Sequence, residues 1–390
     1  MRICLVSYEF PPHGGGEGTY TRDLMKALES KGTEVILITP NWSKSESSDS
    51  EIYVNPLMLP GLKTTSFMLR ANRIIKRLAR DFDLVHYTND YCGFGLSRSE
   101  IGKPVLATIH HTHSLESKSI GQHLGQGTIR SLKFRISEAF SGRMEKDMLK
   151  KADRVVAVSQ FTAENALVLY PFLGDKVKVA LNAVDETRFN PRNDPSSLRE
   201  RFALQSSPTV LYVGRLFAGK GVKFLIDAFK EVESKIPDSK LLIVGSSSDE
   251  EGMEIKSQIR RLGLESSVVF AGRVSEEDLP KAYTVSDLVV LPSLVEGFGL
   301  VLLEGMASGK PVVATRLGPT EEIVTDGLEG LLTPRADSHS LAEAISSILS
   351  DKSLASRMGQ AGRRKVEERF SLERWSTEML EIYRDVISQG

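Results

Sequence analysis

Short apolar runs alternate with longer segments that carry apolar residues at helical spacing along the first half of the chain. The first run covers residues 3–6 and the second covers 35–38, and an amphipathic helical pattern lies between them. Further runs follow at residues 84–87, 105–109 and 155–158. Continuous runs of this kind are typical of strands that are buried on both faces of a parallel sheet. The alternation therefore predicts a doubly wound α/β domain.

The alternation stops in a polar, proline-containing stretch over residues 186–208 and then restarts. The second series of apolar runs lies at residues 210–213, 241–244, 268–270, 288–291 and 311–314. We therefore predict two tandem Rossmann-like domains, an N-terminal one over 1–188 and a C-terminal one over 189–370. Ligands of open α/β sheets bind at the carboxyl ends of the strands, so the active site is expected in a cleft between two facing domains.

Length and composition support this organisation and exclude several other classes. A chain of 390 residues is longer than one hydrophobic core usually organises. The 50 Lys and Arg residues balance 51 Asp and Glu residues, so bulk charge does not favour nucleic acid as a partner. Cys4 and Cys92 lack the second Cys or His that a zinc or redox motif requires. No apolar run is long enough for a signal peptide or a membrane span, and we expect a cytoplasmic protein.

One segment departs from this charge balance. Residues 63–80 contain basic residues and no acidic ones, and apolar residues recur there at helical spacing. The basic positions are Lys63, Arg70, Arg73, Lys76, Arg77 and Arg80, and the apolar stripe is Phe67, Ala71, Ile74, Ile75 and Leu78. Two interpretations are open: a surface helix that packs its stripe on the sheet, or a helix that also makes a peripheral contact with anionic membrane lipids.

A glycine-containing turn with two cations follows the run at 210–213. The turn nearly matches the phosphate-binding pattern G-x-x-x-x-G-K-[ST], but Gly221 stands where the metal-binding hydroxyl should be, which argues against a nucleoside triphosphatase. Arg215 and Lys220 still lie at either end of the turn, from which both could reach one diphosphate. Taken alone, the pair is equally consistent with two solvated surface cations.

A second segment places two acidic residues around a glycine-rich turn. Gly297 and Gly299 permit a tight turn, and a helix starting near Leu300 would direct N–H groups and its positive dipole end toward a phosphate. Glu304 lies one turn inside that helix, whereas Glu296 precedes it. Carboxylates do not suit phosphate, but they accept hydrogen bonds from vicinal sugar hydroxyls. The segment therefore predicts a nucleotide-sugar site.

These two segments together resemble the family 4 retaining glycosyltransferases of the GT-B fold. The turn from Arg215 to Lys220 and the E-x7-E run from Glu296 to Glu304 carry most of the resemblance. Other matching pieces are Gly14-Gly15-Gly16, Val158-Ser159, Asn182-Ala183-Val184-Asp185 and Phe370-Ser371-Leu372-Glu373-Arg374-Trp375. The resemblance implies that a UDP- or GDP-linked sugar donates a hexose to an acceptor hydroxyl with retained configuration, without metal or other cofactor. It also implies a helix over 371–390 that crosses back to the first domain.

The resemblance further implies roles for individual residues. Arg215 and Lys220 would bind the donor diphosphate and stabilise it as it leaves, with His110 beside the donor sugar. Glu296 would hold the sugar hydroxyls, and Glu304 the ribose hydroxyls. The other donor-binding positions are the amides of Phe298, Gly299, Leu300 and Val301, those of Gly15 and Gly16 from the first domain, and Gly245, Arg273 and Val274 around the base.

Some positions depart from the family pattern or permit another interpretation. Gly219 stands where an acidic residue is common, and Gly245-Ser246-Ser247 differs from the usual G-x-G-P, so the base and the sugar stay open. His110, His111 and His113 suggest a metal site, but no carboxylate joins them at ligand spacing.

Two further motifs resemble known binding signatures, but their sequence context argues against those functions. Asp81-Phe82-Asp83 has the D-x-D form of a metal signature but precedes a buried strand, where Asp serves in caps and turns. Gly14, Gly16 and Gly18 suggest a dinucleotide site, yet Thr19 occupies the third glycine position.

The expected acceptor is a glycan or a lipid-linked hydroxyl. A nucleotide-sugar epimerase of the same fold and a non-enzymatic nucleotide-sugar-binding protein remain as alternatives.

Overall fold

The computed structural model describes residues 1–12, 14–43, 50–59, 62–89, 95–111 and 142–389. These residues form two compact units, the first from 1–182 and 372–389 and the second from 183–371. Each unit is built on a parallel sheet with helices, so the predicted pair of α/β domains is confirmed. Cys92 and His113 lie outside the described residues.

The first unit contains a sheet with seven described strands in the order β3-β2-β1-β4-β5-β6-β7, all parallel. Their bounds are β1 Arg2–Val6, β2 Glu34–Pro40, β3 Glu51–Val54, β4 Leu84–Tyr87, β5 Val105–Ile109, β6 Arg154–Ala157 and β7 Val177–Val179. On central β1, Cys4 pairs with Ile36 on one side and Val85 on the other. Its apolar side chains are buried on both faces of the sheet, as the continuous runs predict.

Five described helices flank this sheet before the chain enters the second unit. They are α1 Gly16–Ser30, α2 Lys63–Arg77, α3 Arg98–Ile101, α4 at 142–151 and α5 Gln160–Leu169. The helix predicted over 63–80 ends at Arg77, because Leu78 leaves the helical conformation and its carbonyl accepts from the Asp81 N–H at 2.8 Å. Asp83 Oδ2 accepts from the Arg2 N–H at 2.8 Å, so this acidic residue serves a structural role beside β1.

A sixth described helix of the first unit, the C-terminal helix Leu372–Ser388, follows the second unit in sequence. Its Trp375 ring packs edge-on against Tyr20 of α1, with centroids 5.0 Å apart. Its Tyr383 hydroxyl lies 2.8 Å from His86 Nδ1 on β4. Trp375 and Tyr383 are fully buried, which confirms that this helix crosses back to the first unit.

The second unit contains a parallel sheet in the order β10-β9-β8-β11-β12-β13. The strands are β8 Thr209–Val213, β9 Lys240–Val244, β10 Val268–Gly272, β11 Leu288–Leu291, β12 Val312–Thr315 and β13 Gly330–Thr333. The helices are α6 Ser196–Arg201, α7 Val222–Lys235, α8 Asp249–Leu262, α9 Asp278–Val285, α10 Leu300–Ala307, α11 Gly318–Ile323, α12 Ser338–Ser350 and α13 Lys352–Arg369. Strands β3, β7 and β13, which the apolar runs did not reveal, all lie at sheet edges.

The change from the first unit to the second falls at Asn182 and Ala183, whereas the sequence placed it at 188. The Val184 N–H donates to the Phe370 carbonyl at 2.9 Å. Arg363 on α13 donates to the carbonyls of Glu186 and Phe189, both at 3.0 Å. These bonds hold the segment after residue 182 against the end of α13, and so within the second unit.

Candidate active site

Three loops meet at the carboxyl edge of the second sheet. The Gly214 N–H donates to the Val244 carbonyl at 2.9 Å, and the Gly245 N–H donates to the Gly272 carbonyl at 2.8 Å. Gly245 has φ +143°, and a Cβ there would lie 1.9 Å from the Gly214 carbonyl oxygen. Only glycine permits this approach, which fixes the loop after β8 against the loop after β9.

The loop after β8 reaches a fourth loop, the one that follows β11. The Gly219 carbonyl accepts from the Leu294 N–H at 2.8 Å. Gly221 has φ +65°, and a Cβ there would lie 1.9 Å from the Pro292 carbonyl oxygen. The glycine that replaces the phosphate-loop hydroxyl is therefore required for packing between these two loops.

Lys220 and Glu296 come together where these two loops touch. Lys220 Nζ donates to Glu296 Oε2 at 2.8 Å, and Ser293 Oγ donates to the same oxygen at 3.0 Å. Both charged side chains are partly buried, so water screens their attraction less than that of a surface pair. The structure thus brings together one predicted diphosphate ligand and one predicted sugar ligand, and adds Ser293, which the sequence did not single out.

Arg215 lies on the same loop as Lys220, and its side chain is exposed. Its guanidinium lies over the Phe217 ring, 5.4 Å from the centroid. The Phe217 ring would meet a Cβ at Gly219 at 2.6 Å. This ring explains why the acidic residue common in the family cannot be accommodated at position 219 without displacing the ring.

The helix predicted after Gly299 begins at Leu300, where the sequence placed it. Gly299 precedes it with φ +112°, in the left-handed region, and Phe298 is buried with its ring 6.4 Å from that of Phe370. The first N–H groups of this helical turn, which includes Val301, have no acceptor within the helix, whereas the Leu302 N–H donates to the Gly299 carbonyl at 2.9 Å. This end of α10 offers amide donors and positive dipole potential to an anion.

Glu304 is buried inside α10 and accepts a hydrogen bond from the Tyr283 hydroxyl on α9. Burial, together with the adjacent Glu304 carboxylate, raises the pKa of Tyr283 well above its ordinary value. The phenol therefore stays protonated and orients the carboxylate. Sequence reasoning did not find Tyr283, because nothing in its spacing links it to Glu304.

Arg273 and Val274 follow β10, the edge strand of the second sheet. The bond from the Gly245 N–H to the Gly272 carbonyl places this loop next to Gly245. The three residues assigned to the base by family resemblance thus lie on neighbouring loops.

In the first unit, Gly15 precedes α1 and Gly16 begins it. The Gly15 N–H donates to Glu9 Oε2 at 2.7 Å, and a Cβ at Gly14 would lie 3.1 Å from Glu9 Cβ. One of the two amides assigned to the donor is therefore bonded to a carboxylate of the chain itself. Glu9 was not among the predicted site residues.

The buried Asn89 fixes the segment that carries Glu9. Its Oδ1 accepts from Ser7 Oγ at 2.7 Å and from the Tyr8 N–H at 2.6 Å. Its Nδ2 donates to Glu17 Oε2 at 2.6 Å, in the first turn of α1. Asn89 thereby ties the end of β1 to the start of α1.

His110 follows β5 and is buried. Its Nε2 lies 2.8 Å from the Thr88 carbonyl oxygen, which can only accept, so Nε2 carries a hydrogen. Burial, with a smaller contribution from nearby His111, lowers the pKa of His110 to about 3, although the hydrogen bond to the Thr88 carbonyl acts in the opposite direction. The Tyr20 ring packs edge-on against the imidazole, with centroids 4.7 Å apart. His110 is therefore a neutral ring held in one tautomer.

No three His, Cys, Asp or Glu side chains gather into a possible metal site in the part of the chain that the structure describes. Nor does any helix in those ranges have the length and apolar character needed to cross a bilayer.

Two family models match the chain in succession. Residues 14–188 match Glycosyltransferase Family 4, and residues 196–365 match Glycosyl transferases group 1. The chain belongs to glycosyltransferase family 4. As a member of that family it is a glycosyltransferase that uses a nucleotide sugar.

Two relatives of this family 4 enzyme come from Mycolicibacterium smegmatis. Its alpha-maltose-1-phosphate synthase is 29% identical over 99% of this chain and 100% of its own. Its GDP-mannose-dependent alpha-(1-6)-phosphatidylinositol monomannoside mannosyltransferase is 28% identical over 96% of this chain and 94% of its own. Among solved structures, Anabaena HepE in complex with UDP and glucose aligns with TM-score 0.77 and 21% identity over 98% of this chain and 99% of that one. That likeness shows a shared GT-B fold.

Proposed function

We propose that this enzyme transfers a hexose from a nucleoside diphosphate sugar to an acceptor hydroxyl, with retained anomeric configuration and without a metal ion. The observation that carries the proposal is the Lys220–Glu296 pair, in which a partly buried ammonium and a carboxylate lie 2.8 Å apart at the carboxyl edge of the second sheet. An ammonium suits a departing diphosphate, and a carboxylate suits sugar hydroxyls.

The leaving group is stabilised by positive groups. Lys220 and Arg215 carry full charges, and the first turn of α10 after Gly299 adds amide donors. Donors held in place before the reaction stabilise charge as it develops on the diphosphate, which is the main catalytic contribution we assign. No metal is needed for this task.

The sugar and the ribose are held by hydrogen-bond acceptors. Glu296 is oriented by Lys220 and Ser293 and accepts from donor sugar hydroxyls. Glu304, oriented by Tyr283, accepts from the ribose. His110, whose Nε2–H is held by the Thr88 carbonyl, is assigned a place beside the donor sugar.

The remaining contacts are made through loops. The amides of Gly15 and Gly16 close on the donor phosphate, while Gly245, Arg273 and Val274 border the base.

Transfer occurs on one face of the sugar. The bond from the anomeric carbon to the phosphate oxygen breaks, and the acceptor oxygen bonds to that carbon on the same side. The acceptor proton passes to the departing phosphate oxygen. A protein nucleophile is not required, and the Glu296 carboxylate, which is paired with Lys220, serves as a hydroxyl acceptor instead.

The names of relatives support the choice of substrates. One relative is GDP-mannose-dependent and carries a phosphatidylinositol monomannoside in its name, and a neighbouring structure holds UDP and glucose. We therefore propose a uridine or guanosine diphosphate sugar as donor and a glycan or lipid-linked hydroxyl as acceptor. The basic segment 63–80 supports an acceptor presented at an anionic membrane surface.

A donor screen tests this function. Thermal shift across UDP- and GDP-linked sugars should identify one donor, which should then release nucleoside diphosphate only when an acceptor is supplied. Conversion of the donor sugar without acceptor would instead show an epimerase. Donor binding without turnover on any glycan or lipid acceptor would show a non-enzymatic binding protein.

A further inference from the structure

An unusual concentration of exposed apolar side chains lies just before and within α2 of the first unit. Five large apolar residues there are between 46% and 64% exposed. We call them the apolar tip: Leu57, Met58, Leu59, Leu62 and Leu69. Large apolar patches left open to water mark interaction surfaces.

The apolar tip is an ordered part of the surface. The Leu57 N–H donates to Ser66 Oγ at 2.8 Å, and the Leu62 N–H donates to the Leu59 carbonyl at 3.1 Å. Arg70 on α2 donates to the Asn55 carbonyl. These bonds hold the backbone of the segment before α2 against the helix.

Among the described residues, the side chains of the apolar tip do not belong to the core of the first unit. Helix α2 is anchored by its opposite face, where Phe67, Ala71 and Ile75 are fully buried in the core of the unit. The apolar stripe predicted from the sequence is therefore the face by which α2 packs on the core. The core of the unit therefore does not explain why the five side chains of the apolar tip stay exposed.

Basic residues continue the surface toward the end of α2. Leu62, Leu69 and Arg73 follow one another at spacings of seven and four residues, which places them on one helix face. The basic face consists of Arg73, Lys76 and Arg77 on α2 and of Arg80 just beyond its end, all exposed. No Asp or Glu occurs over residues 52–80, and the ion pair that Lys76 forms with Glu100 is long, at 3.5 Å.

We propose that the apolar tip and the basic face together dock the enzyme on an anionic lipid bilayer. The tip enters the boundary between headgroups and acyl chains, while the basic face lies on lipid phosphates. A nucleic acid would bind the basic residues through its phosphates but would not bury the aliphatic side chains beside them. The docking is a property of this surface alone, and its role in presenting a lipid-linked acceptor rests on the proposed function.

The test is co-sedimentation of the full-length protein with vesicles, measured without donor. We expect binding to vesicles of phosphatidylcholine mixed with phosphatidylglycerol, weak binding to phosphatidylcholine alone, and a loss of binding as salt rises. The double variant Arg73→Ala/Arg77→Ala should lower the partition constant about 25-fold, because each basic residue near an anionic surface contributes about fivefold. The control is Arg260→Ala/Arg261→Ala, an exposed pair on α8 of the second unit.

The apolar contribution is tested in the same assay. Met58→Ser/Leu59→Ser should lower the partition constant at least about tenfold by removing apolar area from the lipid contact. Met253→Ser is the control, since Met58 and Met253 are both 64% exposed. A Leu59→Trp variant should in addition show blue-shifted fluorescence on anionic vesicles, relative to the unsubstituted protein.

Several results would overturn the docking surface. One is equal sedimentation of the protein with both vesicle types. Another is a loss of vesicle binding in the control variants that is as large as in the variants of the docking surface. If the protein does not bind vesicles but binds polyuridine, the surface is assigned to RNA. If it does not bind vesicles but self-associates through the apolar tip, the surface is assigned to a second copy of the chain. Failure of the proposed function would appear separately, as no nucleoside diphosphate release from any donor.

Discussion

The Lys220 ammonium donates to the Glu296 carboxylate at 2.8 Å, and this pair joins the loop after β8 to the loop after β11. The two residues are 76 positions apart in sequence, and close backbone packing at Gly221 brings their loops together. Each charge fixes the orientation of the other, so the cation for the diphosphate and the acceptor for the sugar are prepared as one unit. The Lys220–Glu296 pair therefore depends on the backbone packing at Gly221.

Lys220→Ala should lower turnover about 100- to 1,000-fold with the fold intact, because one preorganised donor to the leaving diphosphate is lost. The measurement is nucleoside diphosphate release with saturating donor. Lys223→Ala, an exposed lysine on α7, is the matched control and should retain normal turnover. Equal losses in the two variants would remove Lys220 from the mechanism.

Lys220 and Glu296 should behave as a coupled pair in a double-mutant cycle. Lys220→Ala and Glu296→Gln each break the same ion pair, so their losses in kcat/KM should not add. We expect the double variant to lose less activity than the product of the two single losses, by at least about fivefold. Strict additivity would show that the pair does not act together in the transition state.

Gly221→Ala should lower the free energy of unfolding by about 3 kcal/mol or more, because the new Cβ would overlap the Pro292 carbonyl and force the two loops apart. Gly263→Ala is a close control: its φ is +66° against +65° at Gly221, but nothing lies within 4 Å of its Cβ. That variant should lose only about 1 kcal/mol from backbone strain. Urea unfolding of both variants measures the difference, and similar losses would contradict the packing role of Gly221.

Glu9→Gln should tighten donor binding, provided that the Gly15 amide binds the donor phosphate as proposed. The Glu9 carboxylate accepts from that amide at 2.7 Å, and a phosphate must displace it. A neutral amide oxygen is a weaker acceptor and does not repel an anion, so the donor KM should fall about three- to tenfold. Glu17→Gln, in the first turn of α1, is the control, since the Glu17 carboxylate accepts from Asn89 and not from the Gly15 amide. A raised KM in Glu9→Gln would assign Glu9 to supporting the loop.

Acid should destabilise the protein through two buried histidines. Burial lowers the pKa of both His86 and His110 to about 3, below the ordinary 6.5. Between these values the unfolded chain binds protons that the folded protein does not, so the free energy of unfolding falls as pH decreases. Each histidine should contribute about 2 kcal/mol of this loss between pH 6.5 and pH 5.

Urea unfolding at several pH values measures the effect. His86→Gln should reduce the slope by one proton. The exposed His339 pairs with Glu231, which raises its pKa, so it acts in the opposite direction, and His339→Gln should not reduce the slope. An unchanged slope in His86→Gln would contradict the buried-histidine account. Because His110 is neutral throughout this range, its ionisation should not appear in the pH dependence of turnover.

The sequence predicted the central strands well, because a strand buried on both faces must be continuously apolar. It missed the edge strands β3, β7 and β13. In β3 and β7 most side chains are at best partly buried and carry little apolar pattern. The positions of Lys220, Glu296 and the start of α10 were also predictable, since strand ends and glycine turns are local features.

Partners across the fold were not predictable from local patterns. Tyr283 lies on a different helix from Glu304, and Asn89 acts on Ser7 through a contact between strands. In the sequence, Gly221 stands out only as lacking the hydroxyl of the phosphate-loop pattern. Its close approach to Pro292 could not be predicted, because it exists only where the two loops pack together. The fold brings these residues together from distant parts of the chain, and their spacing in the sequence does not predict the contacts.

The C-terminal helix has a consequence for how the chain matures on the ribosome. Trp375 and Tyr383 fill the interior beside Tyr20 and His86, so the first unit lacks part of its core until that helix emerges. The second unit, continuous in sequence over 183–371, is complete before that moment. We therefore expect the first unit, although it is synthesised first, to complete its core last and until then to expose an apolar surface that chaperones can recognise.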